Sequence, residues 1–355
     1  MQPPNAITMP LPRQIFLLFR TLLVGACGAV LFNAVGLPAA FMSGALVAVA
    51  AASLLGMEVV MPVGIRNAAF FCTGIFFGST VDQETVQSFA AWPFSIFALG
   101  VSLVAIMVLI PLYLRRVHGY DRETATLAAV PGALSFVLAL ALERGADVKR
   151  ITIVQTSRLA LLIIIIPIGF GLFSEIKPLG VGATDVMASG QVAMLFALAA
   201  VSVPIALVIK IPAPFFSGPF FAVGALFGAG QFEGSLPAYI LWPALAVLGT
   251  AIGSRFAGVD LAMLKEGALA GLGSTVLGLA IAGGLALPVA YFLSLPALQV
   301  WLAFAPGGID ALTVVAFSLG ADPAFVAGHQ MLRFIGLSLC LPFATKWLGF
   351  GEPEV

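Results

Sequence analysis

Apolar residues run along this chain in long blocks, broken at intervals by Pro, Gly and small clusters of charge, and the blocks fall into two matching sets. A helix needs about 20 apolar residues to cross a hydrocarbon core about 30 Å thick. Blocks of that size lie near residues 14–34, 38–56, 62–80, 91–114, 124–143 and 148–172. They return near 189–209, 213–231, 237–255, 266–290, 299–318 and 323–347. Arg13 and Arg20 flank and enter the first block with no small-residue cleavage motif, so it reads as a span rather than a removed signal.

The two sets are copies. Pro131, Gly132, Gly145, Ala146, Asp147, Gln155, Arg158 and Pro167 recur 175 positions later as Pro306, Gly307, Gly320, Ala321, Asp322, Gln330, Arg333 and Pro342. The same offset joins Pro62, Gly74, Gly78 and Ser79 to Pro237, Gly249, Gly253 and Ser254, and an offset of 174 joins Ser43 and Gly44 to Ser217 and Gly218. A duplicated hydrophobic half with breakers at matching depths is the sequence mark of secondary transporters, whose substrate sites form where the repeats meet.

Charge decides how the copies are oriented. Six crossings per half would make the copies parallel and leave Arg144, Lys149, Arg150, Lys210, Arg255 and Lys265 outside, against the positive-inside rule. If the fifth block of each half instead turns at its Pro-Gly and leaves on the side it entered, each half crosses five times and the copies are inverted. Those cations, with Arg13, Arg66, Arg115 and Arg116, then lie at or near the cytoplasmic face, and Lys177 stays outside. The expected fold is an all-α polytopic membrane protein of two inverted-topology repeats, 1–180 and 181–355, each of about five transmembrane helices plus a re-entrant or broken helix. The alternative is that each Pro-Gly pair only kinks a crossing helix.

Composition agrees: 61% of residues are hydrophobic and 9% charged, far from soluble usage. Net charge is zero with no Lys/Arg-rich run, so nucleic acid is not an expected partner, whereas the lipid bilayer is. Cys27, Cys72 and Cys340 are scattered in apolar segments and read as free packing residues. With two histidines far apart, no ligand cluster for a metal cofactor is expected, and no enzyme activity follows. His118 falls in a charged loop and reads as surface, and Gly267, Gly271, Gly273 and Gly278 read as a helix-packing face.

Asp147 and Asp322 have the setting of helix N-caps, the second followed by Pro323 at the first helical position. Arg158 and Arg333 each lie eleven residues beyond their cap, about 16 Å along the helix and so near the midplane. Arginine there is costly unless paired or hydrated and marks a substrate or ion pathway. Gln155, Gln330 and His329 share the arginine faces, and guanidinium with amide is the complement of a carboxylate. The competing reading is that each arginine neutralises half-helix carbonyl ends or a buried acid. Half-helices beginning near Gly132 and at Gly307 and Gly308 would aim N-terminal N–H groups at the same centre, with Ser135 as a hydroxyl contact. Asp310, whose counterpart is Ser135, is the candidate for binding a coupling proton or sodium ion, and His329 is the next.

The Ala-Val-Pro-Gly-Ala of 129–133, the Ala-Pro-Gly-Gly of 305–308 followed by Asp310, and the twice-used Gly-Ala-Asp … Gln-x-x-Arg resemble the bacterial AbrB-type membrane protein family. The resemblance spans nearly the whole chain and is most specific from Pro306 to Arg333. Members are often labelled as ammonia monooxygenases or AbrB transcriptional regulators, yet this chain offers neither copper ligands nor a soluble β-rich DNA-binding domain. At fold level, inverted repeats with re-entrant hairpins resemble elevator-type carboxylate transporters. The expectation is a symporter of a small organic anion in the bacterial inner membrane, both termini cytoplasmic, with a homodimer as candidate assembly. A membrane anchor, sensor or regulator without transport is the alternative.

Overall fold

The computed structural model describes residues 10–88, 92–132, 134–171, 186–259 and 261–347. Within them the chain is helical, apart from turns and one isolated bridge between Val186 and Ser235. The first half folds as α1 (Leu11–Ala34), α2 (Ala40–Leu54), α3 (Val63–Gly78), α4 (Gln83–Ser88), α5 (Trp92–His118), α6 (Arg122–Ala129), α7 (Leu134–Glu143) and α8 (Val148–Gly171). The second supplies α9 (Ser189–Val208), α10 (Pro214–Gly228), α11 (Ala238–Gly253), α12 (Leu261–Leu293), α13 (Ala297–Phe304), α14 (Ile309–Ser318) and α15 (Pro323–Trp347). α1, α5, α8, α9, α12, and α11 with the 3-10 turn Ser254–Phe256 that extends it, are long and apolar enough to span a bilayer, while α2, α3 and α10 are apolar but shorter. The protein is an all-α polytopic membrane protein.

Local detail repeats with the sequence. α2 opens at Ala39 and α10 at Ala213, both in the left-handed region at φ 53° and 49°, a conformation that costs a residue with a Cβ about 1 kcal/mol or more. Ser43 Oγ then donates to the Ala39 carbonyl, and Ser217 Oγ to that of Ala213. Each fifth block is split in two, as α6 and α7 or α13 and α14, at its Pro-Gly.

The helices gather into two compact units, each drawing on both halves. One holds the described residues of Met1–Gln87, Ile163–Leu261 and Thr313–Ala324. Here backbones touch directly: a methyl group on Gly28 of α1 would lie 2.3 Å from Gly44 O of α2. Gly74 and Gly78 of α3 meet the carbonyls of Phe216 and Phe220 on α10, with 2.5 and 2.8 Å to an added methyl. Gly249 and Gly253 of α11 meet those of Met42 and Leu46 on α2, at 2.1 and 2.7 Å. The second pair of contacts is the first with the two halves exchanged. Residue numbers rise together along each contact, so α3 runs parallel to α10, and α2 to α11.

The other unit holds the described residues of Ser88–Leu162, Ala262–Leu312 and Phe325–Val355. Gly267 and Gly271 of α12 admit Ile153 and Ser157 of α8, Gly273 lies against Tyr113, and Gly278 faces Pro306, so this face packs helices. The counterpart of the Gly267–Ile153 contact is Trp92 of α5 seated on Gly328 of α15. α6 is buried along its length from Thr124 to Ala129, an unusual state for a helix that starts among charges.

Candidate functional site

The site grows from the split of α6 and α7. Asp121 caps α6 by accepting the Thr124 N–H at 2.8 Å. The helix stops at Ala129 because Val130 precedes a proline, which disfavours helical backbone there and supplies no N–H beyond it. Gly132 follows at φ +89°, a conformation open to glycine. The chain then runs up α7, turns at Gly145, and the Asp147 N–H donates to Thr124 Oγ1 at 2.9 Å. An unbroken helix would hold those two residues about 35 Å apart. The Pro-Gly segment therefore forms a hairpin that returns to its point of entry. At 8 and 10 residues its arms are about 12 and 15 Å long, or half a hydrocarbon core.

Asp147 then opens α8 as its N-cap, accepting the N–H groups of Lys149 and Arg150 at 3.0 and 3.1 Å. Asp322 does the same for α15, accepting the Ala324 N–H at 2.8 Å with Pro323 in the first turn. α8 descends beside α6 and presents Gln155 and Arg158 to the carbonyls that the break leaves without helical partners. Gln155 Nε2 donates to Leu127 O at 3.0 Å, and Arg158 Nη1 and Nη2 donate to Ala129 O and Val130 O at 3.2 and 2.9 Å. The second half builds the same device. Gln330 Nε2 donates to Leu302 O at 2.9 Å and also reaches Ala303 O and Ala305 O, while Arg333 donates to Ala305 O and Gly307 O.

The arginines thus cap half-helix carbonyls, one of the two roles their positions allowed. That role does not use them up. Arg158 is 1% and Arg333 3% exposed, yet among the described residues the Nε of each, and Oε1 of Gln330, has no hydrogen-bond partner. Among the described side chains no carboxylate forms an ion pair with either guanidinium. The breaks converge crosswise: a methyl on Gly132 would stand 3.3 Å from Phe334 Cδ2 of α15, and one on Gly307 3.0 Å from Leu162 Cδ1 of α8. Gly308 is half-buried beside Gly307. Ser135 and Asp310 lie in the first turns of α7 and α14, but their side chains fall outside the described set.

His329, one turn before Arg333, is fully buried. Its Nδ1 faces Phe325 O at 2.9 Å, its Nε2 faces Ser95 Oγ of α5 at 2.7 Å, and its ring lies against Trp92 and Phe325 with centroids 4.8 and 4.0 Å away. Ser95 and Trp92 escaped sequence reasoning. The available signal was a break in the duplication, since His329 stands where the first half has Val154, and Ser95 where the second has Ala270. His118, expected at the surface, is half-buried and bonds Tyr113 Oη at 2.9 Å, because α5 continues in helical form to His118. Cys27 and Cys72 are free thiols, and the Cys340 side chain is outside the described set. Among the described residues, no three of His, Cys, Asp and Glu converge as a metal site would require.

Known proteins match the sequence over most of its length. The chain is 26% identical over 341 residues to "Putative regulator AbrB" of Escherichia coli (strain K12), covering 91% of this chain and 94% of that one. It is 27% identical over 267 residues to "Uncharacterized protein YhjN" of Bacillus subtilis (strain 168), covering 67% and 69%. A family model described as "Transition state regulatory protein AbrB" matches residues 41–349. That match takes in both Pro-Gly breaks and all four buried Gln and Arg caps, and the chain belongs to the AbrB family of membrane proteins.

Proposed function

We propose that this protein is a secondary active transporter of a small organic anion of the carboxylate class, with a proton or sodium ion as coupling ion, in the inner membrane with both termini cytoplasmic. The observation that carries the reading is the pair of buried guanidiniums at two chain breaks, without a described carboxylate beside them. Helix C-termini offer only about half a charge each as compensation. An anion entering between the breaks would take the free Nε–H donors and neutralise the remainder. Charge-assisted bonds of that kind are the strong ones, and the planar fork of arginine suits a carboxylate.

Inverted repeats belong to the same proposal. Successive spans alternate in direction, so parallel copies would set α3 against α10 head to tail. Their parallel packing supports inverted copies. The division into two units that each draw on both halves is the organisation a moving-domain transporter uses.

A second reading, a regulatory membrane protein without transport, is favoured by the printed name of the Escherichia coli relative. Counterflow in proteoliposomes separates the two. Vesicles loaded with an unlabelled mono-, di- or tricarboxylate should accumulate the same labelled anion through wild-type protein. Arg158→Lys and Arg333→Lys should keep the fold but weaken the half-saturating concentration about ten- to a hundred-fold, the loss of one bidentate charged contact. Absence of flux across the whole panel, from protein that melts cooperatively, would leave the regulatory reading standing.

A further inference from the structure

We infer that His329 and Ser95 form a proton-binding pair, and that the proton it takes accompanies the anion held by Arg333; the coupling part rests on the transport reading above. Nδ1 of His329 faces a backbone carbonyl, which can only accept, so Nδ1 carries a hydrogen in every state. Nε2 faces Ser95 Oγ, whose single hydrogen has two acceptors in reach: Nε2 at 2.7 Å and the Trp92 carbonyl at 2.9 Å. With a neutral imidazole the hydroxyl donates to Nε2. When a proton binds Nε2, Nε2–H donates to Ser95 Oγ and the hydroxyl turns to Trp92 O, so every donor still has an acceptor. One proton enters, one hydroxyl rotates, and no heavy atom need move.

The rings of Trp92 and Phe325 against the imidazole offer π faces to the cation. Charge couples the pair to the anion. Ser95 and Trp92 on α5 do not titrate; on α15 Arg333 lies one turn on; and the Asp310 side chain of α14 is outside the described set. Imidazolium beside Arg333 is a like-charge pair at i, i+4, disfavoured until an anion offsets it. Anion and proton therefore promote each other's binding, as linkage requires. The pair is not duplicated: the counterparts of His329 and Ser95 are Val154 and Ala270, so it occurs once, between α5 of the first half and α15 of the second. An imidazole and a hydroxyl bind a proton and not a sodium ion.

With two histidines in the chain, His118→Asn leaves His329 as the sole signal in nitrogen NMR of histidine-labelled protein in lipid bilayers. The spectrum should show a neutral ring protonated at Nδ1 at high pH and a doubly protonated ring as pH falls. In Ser95→Ala the ratio of protonated to neutral ring at a given pH should drop about five- to tenfold, the difference between a hydrogen bond to a charged group and one to a neutral group, and Ser95→Thr should restore it. A neutral ring protonated at Nε2, a ring that never takes a second proton between pH 4 and 9, or a titration indifferent to Ser95→Ala would each overturn the pair. In proteoliposomes, His329→Asn should keep anion counterflow and lose accumulation driven by a pH gradient; retained accumulation would overturn the coupling. A normal titration in a protein that moves no anion would keep the proton site and discard the transport reading.

Discussion

Arg158 and Arg333 are only partly engaged: their Nη groups close backbone carbonyls at a break, and their Nε groups have no hydrogen-bond partner among the described residues. The glutamines meet the same stretches of backbone through Nε2 and carry no charge, which makes them the cleaner probes of the structural half of that duty. Gln330→Leu takes a donor from Leu302 O and Ala303 O, while Ala305 O keeps the Gly307 N–H and Arg333, and Gln155→Leu takes one from Leu127 O alone. At about 1 to 3 kcal/mol for a buried polar group left unpaired, Gln330→Leu should lower the melting temperature clearly more than Gln155→Leu. Equal melting of both variants and wild type would show the caps to be dispensable. The sequence placed these four side chains near the midplane and named both arginine roles, but it could not choose between them. The carbonyls they meet belong to another segment, 25 to 29 residues away, and are invisible to any pattern of side chains.

The hairpin is the element on which the site depends, and its foot is held by Asp121, Thr124 and Asp147. Burial raises the Asp121 carboxyl, but hydrogen bonds from Thr124 outweigh it and leave the group below its usual range. A lowered native value means the stabilisation is fully present at neutral pH and fades as pH falls into the acid range through that value. Asp121→Ala should cost about 1 kcal/mol of stability at pH 7. The difference from wild type should shrink at acid pH; a difference that grows on acidification would contradict the cap. If the hairpin returns to its entry side, single cysteines replacing Arg122 and Glu143 in a background without native cysteine should react from the same side of intact vesicles. Reaction from opposite sides would restore a kinked crossing helix. Pro131-Gly132 and Pro306-Gly307 announced both breaks, since neither residue suits a helix interior. Asp121 went unread as a cap because it stands in a run of charges where any residue would be solvated.

At the scale of the whole molecule, the duplication is legible from end to end, down to the paired left-handed alanines and the exchanged glycine contacts. The gathering of helices from both halves into each unit was not, because helix packing depends on surfaces whose partners are set by the fold and not by neighbours in sequence. Inverted copies make a sharp forecast for equivalent loops. Val35 ends α1 and Ile209, 174 positions on, ends α9, both well exposed. Cysteines there should label from opposite faces; labelling from one face would make the copies parallel. The claim that the two breaks and two arginines form an anion site is tested most directly by an electron cryomicroscopy structure in lipid nanodiscs with a carboxylate selected by counterflow. The arrangement predicts ligand density within hydrogen-bond distance of the Nε of Arg158 or Arg333, beside Gly132 and Gly307. Ligand density elsewhere, with both guanidiniums enclosed by protein alone, would contradict it.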